Sequence, residues 1–201
     1  MRFHFSIIAA TLSGAALLGG CAPVDSVFPL YKPEDTAFEN RLVGTWEPVV
    51  KDANSSENEK RWICSHARSD RFYDFKWTAV GRKGGFVAKA RLVQLGNNLF
   101  IDFEGDDSGI DEETDNLAAF PAVTTHMIGR IWLTGDVLQI HFLSDDWVKK
   151  QVKAGTFPLA SLDAGNGPLL TASTDALRKF MEAHAEDSEA LSENFEFTRS
   201  K

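Results

Sequence analysis

From residue 72 to residue 80 apolar and polar positions alternate. Tyr73, Phe75, Trp77 and Ala79 share one face, and Asp74, Lys76 and Thr78 share the other. A period of two is the repeat of an extended strand with one face buried. The pattern recurs downstream. Residues 86–95 set Phe86, Ala88, Ala90 and Leu92 against Lys89 and Arg91, and Leu99, Ile101 and Phe103 resume it after the turn Gly96-Asn97-Asn98. Residues 43–50 and the short stretch 61–65 are earlier strand candidates, separated by a polar loop over 52–60. Gly81-Arg82-Lys83-Gly84-Gly85 predicts a turn. The clearest hairpin joins 123–134 to 137–143 across Gly135-Asp136. A two-residue turn there opposes Thr134 to Val137, Trp132 to Gln139 and Arg130 to His141. Met127, Ile131 and Leu133 then share an apolar face with Leu138, Ile140 and Phe142, and the other face is mixed, as in an antiparallel sheet wetted on one side.

Helical signals come late. Ser144 is placed to cap a helix with Asp145 and Asp146 in its first turn, Lys149, Lys150 and Lys153 further on, and Gly155 as its stop. Ser173 or Thr174 opens a second helix, with Leu177, Phe180, Met181 and His184 on one stripe. Residues 195–198 predict a closing strand. Consecutive strands joined by short glycine turns, followed by two short helices, predict a mostly β chain whose antiparallel sheet curls or closes into a barrel.

The first twenty residues follow another rule. Arg2 is followed by an almost wholly apolar or small run to Leu18, the charge-then-apolar layout of an export signal. Its greasy part, residues 7–18, is short of the ~20 apolar residues that span a bilayer. The run ends Leu18-Gly19-Gly20-Cys21. That tetrapeptide resembles the lipobox of bacterial lipoproteins. The resemblance implies cleavage between Gly20 and Cys21, a diacylglycerol on the Cys21 thiol, and attachment to a membrane of the cell envelope through acyl chains. Ala22, which is not aspartate, implies the outer rather than the inner membrane. The expected organisation is a signal peptide over 1–20, a lipid-anchored tether over 21–38 containing Pro23, Pro29 and Pro33, and one domain over 39–201.

Without the signal roughly 180 residues remain, enough for one domain with a sizeable core, and the chain is rich in aromatics, with fifteen Phe and five Trp in all. A net charge of −8 argues against broad affinity for nucleic acid. With Cys21 acylated, Cys64 has no partner for an internal disulfide. His66 lies two residues on, the same face of a strand, so the two form the one candidate thiol–base pair, against a buried and inert Cys64. The acidic run over 104–115 lacks the spacing of a calcium loop and reads as a solvated loop. His66, His126, His141 and His184 are scattered. No metal or cofactor site is expected.

Gly44-Thr45-Trp46 opens the first strand and resembles the Gly-x-Trp signature of lipocalins and related calycin barrels. The resemblance implies a calycin-like barrel with Trp46 closing one end. The chain as a whole resembles uncharacterised lipoproteins with an acidic, helix-bearing C-terminal end, which implies no activity. Trp46, Tyr73, Phe75, Trp77, Phe86, Phe103 and Phe142 are candidates to line a pocket for a hydrophobic small molecule or lipid, or else to fill a solid core. Three functions stay open: ligand binding, docking to an envelope protein, and thiol chemistry at Cys64 and His66.

Overall fold

The computed structural model describes residues 23–49, 60–67, 72–79, 85–105, 124–165 and 167–200. The signal peptide with Gly20 and Cys21, most of the polar loop over 52–60, the Gly81–Gly85 turn up to residue 84, and the acidic run beyond Gly105 lie outside the described residues. Those described form twelve strands and two α-helices. The strands are β1 (Asp25–Ser26), β2 (Thr36–Ala37), β3 (Gly44–Pro48), β4 (Lys60–Ala67), β5 (Phe72–Ala79), β6 (Gly85–Leu95), β7 (Asn98–Gly105), β8 (His126–Thr134), β9 (Val137–Phe142), β10 (Ser161–Asp163), β11 (Pro168–Leu170) and β12 (Glu193–Arg199). The helices are α1 (Asp145–Ala154) and α2 (Thr174–Ala183).

Strands β3 to β9 pair with their neighbours in sequence, all antiparallel. β12 then pairs with β9 on one side and β3 on the other, closing a barrel of eight strands. The hairpin register is the one the alternation predicts, with Arg130 opposite His141 and Trp132 opposite Gln139. Closure removes the unpaired edges an open sheet would present. It also turns one face of every strand inward. Trp46, Cys64, Tyr73, Phe75, Ala88, Ala90, Leu92, Ile101, Phe103, Leu138, Ile140, Phe142 and Phe197 form one buried cluster there.

The outer face departs from the half-wet sheet expected. Val93, Leu95, Phe100 and Ile128 point outward, yet they are buried in a second cluster with Val24, Leu30, Val148, Leu177, Phe180 and Met181. The two helices and the N-terminal segment therefore cover the wall formed by β6, β7 and β8. Each helix starts where the capping signals predict. The Ser144 hydroxyl accepts from the Trp147 N–H and the Ser173 hydroxyl accepts from the Ala176 N–H. Gly155 ends α1 in the left-handed conformation, where its N–H reaches the Gln151 and Val152 carbonyls.

Residues 23–38 are the main correction. Their prolines and missing periodicity predict a tether, but the segment is packed as a strap. β1 is held between β8 and β11. Leu30 is fully buried. Thr174 donates to the Pro29 carbonyl at 2.8 Å, Arg178 donates to the Leu30 carbonyl at 3.1 Å and pairs with Asp35 at 2.7 Å, and Lys32 pairs with Asp175 at 2.6 Å. β2 then pairs with β6. An irregular segment buries its backbone only if its polar groups are satisfied, and here α2 and the barrel wall satisfy them.

Candidate functional site

The two ends of the barrel differ. At the end where β3 begins, the chain makes a 3-10 turn over Asn40–Leu42 beneath Trp46. The Trp46 ring is fully buried, and its indole N–H donates to the Leu42 carbonyl at 2.9 Å. Arg199, near the end of β12, lies over that ring at 4.3 Å from its centroid. Its guanidinium also donates to the Val43 carbonyl at 2.9 Å and to the Arg41 carbonyl. The first and last barrel strands are thus clasped over the plug. The glycine of the Gly-x-Trp triplet has a physical reason as well. Gly44 has φ +149°, and a Cβ there would fall on the Arg199 guanidinium. Tyr73 completes this end, accepting from the Glu39 N–H at 2.7 Å and donating to the Glu39 carbonyl at 3.2 Å. Burial pushes its phenol up to about 12.

The opposite end is aromatic. Trp62 sits 4.4 Å from Phe197 and 6.1 Å from both Phe75 and Phe103, measured between ring centroids. Phe75 meets Phe103 edge-on at 5.0 Å, Phe103 continues to Phe142 at 6.1 Å, and Phe142 to Phe195 at 5.7 Å. Edge-to-face contacts at these distances are favourable beyond the area they bury. Phe75, Phe103 and Phe142 are buried, Trp62 is half-buried, and Phe195 is 41% exposed. Beyond the point where Phe197 meets Pro48, β12 runs on beside β9 alone among the described strands, and this leaves Phe195 at the rim. Trp77 is paired with Trp62 and Phe86, so both Trp77 and Phe86 hold register positions in line with these residues. Their side chains lie outside the described residues. Of the seven predicted lining residues, Phe75, Phe103 and Phe142 thus belong to the aromatic end, and Trp46 and Tyr73 to the plug. Phe195, Trp62 and Arg199 were not singled out from the sequence. The alternation around 195–198 carried a signal for Phe195, whereas nothing local marks Arg199.

Cys64 lies inside the barrel, opposite Gly44 and Phe75. Burial, with a smaller contribution from Asp74, raises its thiol far above the ordinary thiol range, and Arg199 opposes this only in part. Such a thiol stays protonated at neutral pH and makes a poor nucleophile. His66 stands opposite Tyr73 in the register, and its side chain lies outside the described residues.

A second polar constellation sits on the outer wall beneath the strap. Asp102, 1% exposed, accepts from the Leu30 N–H at 2.6 Å and from His126 Nδ1 at 2.8 Å. Tyr31 packs on His126, and Arg91 lies 4.2 Å over Tyr31 while pairing with Glu104 at 2.9 Å. Ser26 is opposite His126 in the ladder, so a serine, a histidine and an aspartate adjoin on one face. The serine hydroxyl is already engaged, donating to the Phe28 carbonyl at 2.7 Å and accepting from the Phe28 N–H at 3.2 Å. Ser26 is also 1% exposed. The arrangement pins the strap and offers no accessible nucleophile. His141 lies away from it, opposite Arg130, against Trp132 and half-buried, and burial lowers its imidazole. His184 stacks on Phe180 at 4.2 Å.

Among the described residues no group of three or more His, Cys, Asp or Glu side chains is arranged to hold a metal ion. Nor is any described helix long and apolar enough to cross a membrane. Compared with protein-family models, with curated proteins and with solved structures, the chain matches none.

Proposed function

We propose that this chain is an acylated lipoprotein of the bacterial envelope, held by Cys21 at the outer membrane, with a calycin-like barrel that takes a hydrophobic small molecule or lipid at its aromatic end. The observation that carries the ligand reading is the chain of rings Trp62–Phe75–Phe103–Phe142–Phe195, which begins half-buried and ends exposed at the rim. Binding sites for such molecules are apolar and largely preformed, and an aromatic rim of this kind supports that use. The calycin likeness draws support from the Trp46 plug beneath Arg199. The anchor rests on Leu18-Gly19-Gly20-Cys21 and the export signal before it. Each buried methylene of an acyl chain contributes ~0.8 kcal/mol, so two or three chains hold a protein stably at a bilayer.

One observation favours a second reading. The aromatic side chains touch one another, as in a filled core, and a solid barrel would serve as an envelope scaffold that docks to another protein. Mass spectrometry of solvent extracts from the natively purified full chain separates the two. A stoichiometric hydrophobe supports carriage. An empty extract, together with no binding of a fluorescent fatty acid, refutes it and leaves the scaffold. The anchor is tested separately by Cys21→Ala, which is expected to move the protein from the membrane to the aqueous fraction.

A further inference from the structure

The place where the chain enters the domain bears on where the ligand comes from. Pro23 bridges to Ser144, the Val24 N–H donates to the Leu143 carbonyl at 3.3 Å, and Asp25 stands opposite Met127. All three partners lie where β9 ends and β8 begins. That is the end of the barrel that carries Phe142, Phe103 and the exposed Phe195. Cys21 is only two residues upstream of Pro23, and two extended residues reach at most ~7 Å. Because residues 23–38 are a strap and not a tether, Ala22 alone stands in the sequence between Cys21 and the packed segment.

We infer that the aromatic end of the barrel rests on the bilayer that holds Cys21, and that its ligand is an acyl lipid drawn from that bilayer rather than a hydrophobe met in the aqueous phase. This rests on the lipoprotein and ligand-binding reading given above. Half-buried Trp62, Phe195 and Val49, which is 45% exposed, are apolar groups at the rim. Aromatic residues favour the headgroup level of a membrane. Glu196 is exposed beside them, and β7, which the acidic run 106–115 follows in the sequence, ends on this side, so zwitterionic headgroups suit this end better than anionic ones. The other end presents Gly135-Asp136, with the Asp136 side chain 79% exposed, and faces water. An acyl chain that passes directly from bilayer to rim never exposes its methylenes to water.

The test uses the full, natively lipidated chain in vesicles of phosphatidylcholine and phosphatidylethanolamine. A nitroxide is attached at Phe195→Cys, at Val49→Cys as a second rim position, and at Asp136→Cys as the distal reference. Collision with oxygen, which concentrates in lipid, is compared with collision with a water-soluble nickel chelate. Oxygen dominating at 195 and 49 and nickel dominating at 136 is the expected inversion. Nickel dominating at all three positions, with diacylglycerol confirmed on Cys21 by mass spectrometry, overturns this inference and leaves the lipoprotein reading standing. A Cys21 peptide without diacylglycerol overturns both. A co-purified aqueous metabolite in place of an acyl lipid overturns the ligand class alone.

Discussion

Arg199→Ala tests whether the barrel is held shut at its plugged end by a single side chain. The substitution removes the guanidinium from the Val43 and Arg41 carbonyls, from the face of Trp46, and from Asp136 at 3.6 Å. Hydrogen bonds that involve a charged group contribute about 1.5–3 kcal/mol each when buried. Arg199 retains 28% of its side-chain exposure, so the lower figure applies to each of the two. The contact with the indole adds about 0.5–1 kcal/mol at such a site. The Asp136 pair is exposed and long, and adds close to nothing. Because both carbonyls belong to one turn, the contributions overlap, and the expected loss is about 3 kcal/mol. Urea unfolding followed by tryptophan fluorescence measures it as a drop in midpoint at unchanged slope. Arg199→Lys keeps the charge but not the planar fork, and is expected to recover less than half of the loss. A loss below about 1 kcal/mol for Arg199→Ala would refute the reasoning, because the clasp would then be ornamental beside the strand pairing itself.

Asp102→Asn turns an amide toward His126 and weakens the acceptor held by the Leu30 N–H. It is expected to cost about 2 kcal/mol in urea unfolding and to speed hydrogen exchange at the Leu30 amide, while exchange in β4 and β5 stays unchanged. Tyr31 and Tyr73 are the chain's two tyrosines, and burial raises both phenols, that of Tyr73 to about 12. The stability Tyr73 contributes is whole below the unfolded value of ~10 and is lost as pH rises from there through about 12. An absorbance titration should find neither phenol ionising at its ordinary pH in the native protein and both doing so in urea. Native Cys64 should resist a thiol reagent at neutral pH and react once the chain is unfolded. Rapid stoichiometric labelling of the folded protein would revive the thiol-enzyme reading.

What could be read from the chain follows the distance over which each feature is determined. The β8–β9 hairpin, with Arg130 against His141, needs only a two-residue turn and alternation. The α1 cap at Ser144 and its stop at Gly155 are likewise settled within one turn of helix. The inward aromatic faces were legible because period-two alternation is local. The strap was not. Leu30 is buried by α2 and by the Asp102 carboxylate, 72 residues away along the chain, and its own neighbourhood of prolines carries no period. Arg199 reaches Val43 across 156 residues. Asp102 falls between the inward Ile101 and Phe103, and nothing in its sequence neighbourhood says that residues 30 and 31 lie over it. The candidate site divides in the same way: the rings were visible, and their sorting into a plug and a rim was not.

The strap also gives the domain a mechanical order. Tension applied at the N-terminus enters at Pro23 and meets β1 first, a ladder two residues long on each side. Behind it stand the Leu30–Asp102 bond and the contacts of Arg178 and Asp175 in α2 to Leu30 and Lys32, and only then the eight closed strands. A pull too weak to open the barrel can therefore peel the strap, baring Leu30 and the Phe100 wall it covers. The fold carries a fuse between its point of attachment and its core, and that fuse yields before the barrel does.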